Sequence, residues 1–152
     1  MRTSTILALA ASTLTSASPL LAIEPPVTAQ FNVSKFVFGC TTGCYWSFNV
    51  TVEGEFKNHP ELKSPVTCSG GLDENKDYKK CDVGDVSETQ EVLAYIVKDT
   101  NMLKLQYAVN NLEERSTYRF YGEKKVYAAT SDQAKLQKEE FFVPETVVAA
   151  VA

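Results

Sequence analysis

The sequence predicts an all-β domain, a compact antiparallel barrel or sandwich of short, hairpin-connected strands with two disulfides. Three observations predict it. Apolar residues recur with a period of two along most of the chain; turn-forming residues interrupt that pattern at short intervals; and four cysteines fall into two local pairs, Cys40/Cys44 and Cys68/Cys81.

The alternation is clearest in CYWSFNVTVEGEF, where Cys44, Trp46, Phe48, Val50 and Val52 share one face and Tyr45, Ser47, Asn49 and Thr51 the other. FNVSKFVF precedes it and forms the other arm of a hairpin with Thr41-Thr42-Gly43 at the tip. EVLAYIVKDTNMLKLQYAVNN holds two more runs around Asp99-Thr100-Asn101, with Leu103, Leu105, Tyr107 and Val109 in phase. STYRFYGEKKVYAAT reads as a further pair turning at Gly122-Glu123, and KLQKEEFFVPE ends in a last run. SDQAKLQKEE is at most a short surface turn, because it is poor in apolar residues. Six or seven strands are expected.

Residues 1–17 carry Arg2, an apolar run from Ile6 to Leu14 and the small residues Thr15-Ser16-Ala17. That pattern predicts a secretory signal peptide cleaved after Ala17. It is too short to span a bilayer, and Pro19 follows it. Residues 18–29 hold three prolines and read as a flexible lead-in. Residues 30–145 make the barrel domain, and 146–152, TVVAAVA, a frayed tail or a last edge strand.

Fifteen basic and nineteen acidic residues give a formal charge of −4, which becomes −5 when Arg2 leaves with the leader. The basic runs are the pairs Lys79-Lys80 and Lys124-Lys125. This composition argues against nucleic acid and membrane as partners.

An exported chain keeps its cysteines oxidised. A hairpin brings Cys40 and Cys44 opposite each other, and a Cys68–Cys81 bond would tie down the polar loop between them. Four cysteines allow three connectivities, and these two local bonds are the expectation. Metal is not expected, because the one histidine, His59, completes no zinc pattern with them. A redox motif needs two intervening residues, and Cys40 and Cys44 have three between them.

Asn32-Val33-Ser34 and Asn49-Val50-Thr51 are N-glycosylation sequons. Asp73 to Asp77 resembles the start of a calcium loop, but Tyr78 and Gly84 stand where Gly and Glu are needed, so the segment reads as a solvated charged loop. His59, before Pro60 in a polar loop, reads as a surface residue without a nucleophile nearby. Glu53/Glu55 and Glu139/Glu140 read as strand-edge charges rather than a carboxylate pair for glycoside hydrolysis. No catalytic residue, cofactor or metal site is assigned. Tyr45, Tyr118 and Tyr121 are either contact surface or core.

The segments NVSKFVFGCTTGCYWSFNV, PVTCSGGLDENKDYKKC and LAYIVKDTNMLKLQY resemble the small secreted fungal proteins known as hypersensitive-response-inducing elicitors, which are similar to the major Alternaria allergen family. The resemblance spans most of the chain after the leader, and its most specific element is the second cysteine pair, closed by Tyr78-Lys79-Lys80-Cys81. It implies an antiparallel β-barrel and a secreted, non-enzymatic fungal elicitor that meets plant host proteins, with defence-related ones among the candidates, through its surface. The allergen branch is also linked to thaumatin-like defence proteins and to small flavonoid-like ligands, so a small aromatic ligand in a barrel interior is the alternative, and a secreted hydrolase a third. This chain lacks the extra cysteines of the allergen branch, which implies a monomer or a noncovalent dimer.

Overall fold

β1 (Gln30–Cys40) and β2 (Cys44–Glu53) form the anticipated first hairpin in the computed structural model, which describes residues 29–54, 56–72, 77–82, 84 and 87–151. Phe38 pairs with Trp46 and Val33 with Val50. The inward phase of β1 changes midway: Phe31 and Val33 are buried, and then Phe36 and Phe38. Lys35, at φ 52°, is the extra residue, and the register against β2 shifts between Ser34 and Val37. A bulge of this kind lets the strand bend while returning large side chains to the core. In β2 the predicted face is the buried one: Trp46, Phe48, Val50 and Val52.

β3 (Leu62–Gly71) pairs antiparallel with β2, placing Phe48 opposite Cys68. No strand was expected here, and Gly70-Gly71 falls in the polar loop placed between Cys68 and Cys81. Its sequence, LKSPVTCSGG, is rich in poor strand formers. Its position at one end of the sheet order tolerates Pro65, and burial of Leu62, Val66 and Cys68 supplies the apolar contact.

β4 (Lys79–Lys80), β5 (Gln90–Val97), β6 (Met102–Asn111) and β7 (Ser116–Lys125) form a second meander. The β5–β6 turn falls at Asp99-Thr100-Asn101 as expected. Asn101 takes a left-handed φ of 51°, and its N–H donates to the Val97 carbonyl at 2.8 Å. β7 corrects a second expectation. The chain does not turn at Gly122-Glu123 but runs straight through. A Cβ at Gly122 would lie 2.8 Å from the Pro144 carbonyl oxygen and 3.1 Å from the Phe31 ring. The glycine marks a close approach and a register shift against the next strand, not a turn.

β8 (Phe141–Val151) enters the sheet between β1 and β7, giving the order β3-β2-β1-β8-β7-β6-β5-β4. Residues 146–151 are therefore strand, the second of the two alternatives, and the domain does not stop at 145. They continue β8 and pair with β7 through Val147 opposite Tyr121 and Val151 opposite Thr117. Ala29, assigned to the lead-in, is buried and accepts a hydrogen bond from the Glu145 N–H. The expected leader, residues 1–17, and residues 18–28 lie outside the described residues. The segment before β8 contains only a 3₁₀ turn, Ala134–Leu136.

The two ends of the sheet meet. Thr67 of β3 bridges Asp82, Cys81 donates its N–H to Val92 of β5, and the Cys68–Cys81 disulfide crosses the same gap. The result is a nearly closed barrel whose interior is filled by Trp46, Tyr107, Phe31, Phe38, Phe48 and Phe120, all essentially inaccessible.

Candidate functional site

The four cysteines pair as expected. Cys40 and Cys44 lie opposite each other at the hairpin tip, with Cα atoms 4.0 Å apart, and Cys68 and Cys81 are 4.3 Å apart. The second pair does more than tie down a loop: it sits in the core and holds the two ends of the sheet together. Asn32 and Asn49 both lie on the outward faces of their strands. Of the tyrosines singled out, Tyr45 is well exposed beside the tip, whereas Tyr118 and Tyr121 are half-buried. Tyr121 joins Tyr78 and Tyr95 in an outer cluster, with ring centroids 4.9 Å apart for Tyr78–Tyr95 and 6.3 Å for Tyr78–Tyr121. Burial, and next the neighbouring Tyr95 phenol, push the Tyr78 hydroxyl up to about 12.

His59 is the largest departure from the sequence reading. It is not a surface residue; it is fully buried. The loop after β2 folds inward through a short Phe56–His59 bridge, with Asn58 at φ 63°. His59 Nε2 lies 2.9 Å from Glu145 Oε1, and both side chains are sealed from solvent. The imidazole stacks on Phe56 at 4.4 Å and meets Phe120 edge-on at 4.3 Å. Nearby, Gln90 donates to the Tyr107 hydroxyl, which donates to the Pro60 carbonyl at 2.7 Å and so secures the loop. Burial, the largest influence, raises the Tyr107 phenol far above its usual range. His59 Nδ1 and Glu145 Oε2 are buried with no hydrogen-bond partner among the described residues. The pair is sealed from solvent and, with the ring contacts, ties the Phe56–His59 bridge to β8.

Outside, the fold leaves a groove of about 370 Å³ between the end of β7, the 3₁₀ turn and the start of β8. Its origin is the bulge in β1. Only Gln30–Val33 pair with β8; beyond Lys35 the two strands separate. The segment following β7 fills the space: Ala129 donates its N–H to the Phe38 carbonyl, and the Gln137 side-chain amide donates to Phe38 and Tyr127 carbonyls at 2.7 and 2.9 Å. The groove floor is Phe36 and Phe141, whose rings meet edge-on at 5.2 Å. Lys124, Lys125 and Lys138 line it, with Glu140 as the acidic member. Lys124 Nζ sits 5.6 Å from the centroid of the Phe141 ring and donates to the Phe142 carbonyl at 2.9 Å. Leu136 and Phe142 stand exposed on the rim. An aromatic floor under ammonium groups suits a planar or aliphatic group that carries a carboxylate or phenolate.

Among the described residues no group of His, Cys, Asp and Glu is placed to hold a metal ion. Asp73 to Lys76 of the calcium-like stretch, and Glu55 of the first carboxylate pair, lie outside the described residues. Glu139 and Glu140 are exposed beside the groove. No family model, no curated protein and no solved structure matches the chain.

Proposed function

We propose that the protein is a secreted, non-enzymatic elicitor or effector that triggers or modulates plant defence by binding host proteins through its outer surface. The observation that carries this reading is how the reactive groups are distributed. The chain's one histidine is sealed in the core against Glu145, while three lysines and an exposed Phe142 converge on the outer groove. The two disulfides are compatible with an extracellular location. The plant host comes from the sequence resemblance, and the surface mode from the groove. Aromatic and cationic groups around a small apolar recess are the composition in which interface energy concentrates.

The test is infiltration of pure protein into leaves at micromolar concentration, beside a Lys124→Glu/Lys138→Glu/Phe142→Ser variant whose folding is checked by circular dichroism. Local cell death or defence signalling is expected from the parent and is lost in the variant. No response from the parent in any susceptible plant overturns the reading; an equal response from the variant moves recognition to another surface.

A second reading, a carrier of a small aromatic ligand such as a flavonoid, is favoured by one observation: the Phe36–Phe141 floor beneath Lys124. It places the ligand in the groove rather than in the barrel, whose interior is occupied by side chains. Calorimetric titration with a flavonoid, repeated on Phe141→Ala, tests it; heat unchanged by the substitution counts against it.

A further inference from the structure

The geometry points to Asn49, and not Asn32, as the residue that carries an N-linked glycan. Both have the required hydroxyl two residues on, Ser34 after Asn32 and Thr51 after Asn49. In the transfer, a bond forms between the Asn Nδ2 and the first sugar carbon as that carbon's bond to a lipid-linked diphosphate breaks. The diphosphate leaves with the electron pair, and the Nδ2 loses one proton to the transferase. The chain must afterwards fold with the modified nitrogen facing solvent, so the folded surroundings of each Nδ2 decide between the two sites.

Asn32 fails that requirement. Its Nδ2 donates to the Glu53 carboxylate at 2.5 Å, and its Oδ1 is buried with no partner among the described residues. Phe142 lies opposite it on β8, and Glu140, Phe141 and Phe142 wall the recess in which it sits. A sugar there would break the Glu53 contact and meet an aromatic side chain.

Asn49 meets it. Its Oδ1 accepts a hydrogen bond from Thr67 Oγ1 at 3.0 Å, which fixes the amide plane. Its Nδ2 makes no hydrogen bond among the described residues. The flanking outward positions are small: Ser34 and Thr67 across the neighbouring strands, Ser47 and Thr51 along its own. The positions directly around the Asn49 amide are thus hydroxyl residues, polar groups that a glycan can contact, and the large exposed side chains of the same face, Val37 and Tyr45, lie further along toward the hairpin tip. A glycan on Asn49 covers this face.

This inference rests on the proposed export, and the experiment separates the two. The full chain, leader included, is expressed in a eukaryotic host that glycosylates, and the product in the medium is treated with an amidase-type glycosidase in heavy-oxygen water. Peptide mapping is expected to find labelled Asp at position 49 and unlabelled Asn at 32. The gel-mobility shift is expected to vanish in Asn49→Gln and to persist in Asn32→Gln. Thr51→Ala, which removes the sequon and leaves Asn49 in place, gives the same loss should Asn49→Gln fold poorly. Protein in the medium with label at Asn32, or with an unmodified Asn49, overturns the assignment alone. Unglycosylated protein retained in the cytosol overturns the export reading and this inference with it.

Discussion

Replacing His59 with Phe isolates the buried pair from the packing around it. The substitution keeps an aromatic ring to stack on Phe56 and meet Phe120, so the cavity term is small. What it removes is the partner of Glu145, whose carboxyl group is sealed in the core with Oε2 already lacking a hydrogen bond among the described residues. Orphaning one member of a buried pair costs about 3–5 kcal/mol. That is a large share of the roughly 5–15 kcal/mol by which small domains are stable. Glu145→Leu alone leaves the less demanding imidazole unpaired and costs about 1–3 kcal/mol. The double variant, His59→Phe with Glu145→Leu, replaces the pair by apolar groups and is expected within about 1 kcal/mol of the parent, because such replacements are often neutral. The cycle therefore predicts strong recovery, not addition. The assay is denaturant unfolding with the disulfides oxidised, followed by the emission of Trp46, the chain's one tryptophan and fully buried. A His59→Phe cost under about 1 kcal/mol, or a double variant as unstable as the sum of the singles, would refute the claim that the His59–Glu145 contact, rather than ring packing, makes this site demanding.

Three other outcomes are expected. Removing the Cys68–Cys81 bond with paired Cys→Ala substitutions should lower stability by about 3 kcal/mol through chain entropy, against about 2 for Cys40–Cys44, whose loop is shorter; the order of the two unfolding midpoints checks it. Gly122→Ala should cost about 1–3 kcal/mol because its Cβ would stand 2.8 Å from the Pro144 carbonyl, whereas Gly39→Ala, with Thr130 Cγ2 at 3.8 Å, should cost under about 1 kcal/mol; paired thermal melts decide. The Tyr78 phenol is raised by burial from 10.0 to about 12, so the unfolded chain ionises first. The associated stability is intact below pH 10 and declines as pH rises from 10 to about 12, and Tyr78→Phe should flatten that decline in a series of melts at alkaline pH.

The strands that were legible in the sequence are those whose apolar residues alternate without interruption: β2, β5 and β6 present Trp46/Phe48/Val50/Val52, Val92/Ala94/Ile96 and Leu103/Leu105/Tyr107/Val109 to the core. β3 was illegible because Pro65, Gly70 and Gly71 mimic loop chemistry, and only pairing with β2 makes it a strand. Gly122 was misleading for the opposite reason. A glycine needed for close approach of β7 and β8 looks, from local sequence, like one needed for a turn. His59 was missed because burial of a polar residue is decided by its partner, and that partner lies 86 residues away. A trace of it was present. Phe141, Val143 and Glu145 are in phase along one strand face, and an acid in register with core positions calls for a buried cation or donor. The chain's one histidine was the residue available to fill that role. The groove left no such trace, since it assembles from Phe36, the segment after β7 and the start of β8, which meet only in the folded chain.

Lys35 links these features. Strands β3-β2-β1 and β4-β5-β6-β7 are two meanders made of sequence-adjacent neighbours, and β8 joins them. Had β1 continued in register along β8, the sheet would be uniform at that junction. The left-handed residue at 35 instead separates β1 from β8 after Val33. The ladder groups freed on β1 must find partners, and they do so in the incoming segment: Phe36 N–H with the Glu139 carbonyl, Phe38 carbonyl with Ala129 N–H and Gln137, and Cys40 N–H with Thr130 Oγ1. A segment held by such scattered bonds does not lie flush with the sheet. The gap it leaves is floored by aromatic rings, because Phe36 and Phe141 flank the divergence, and lined by lysines from the end of β7 and the turn before β8. The recess proposed to meet host proteins is therefore a by-product of one strand bulge, and straightening that bulge by deleting Lys35 should close it.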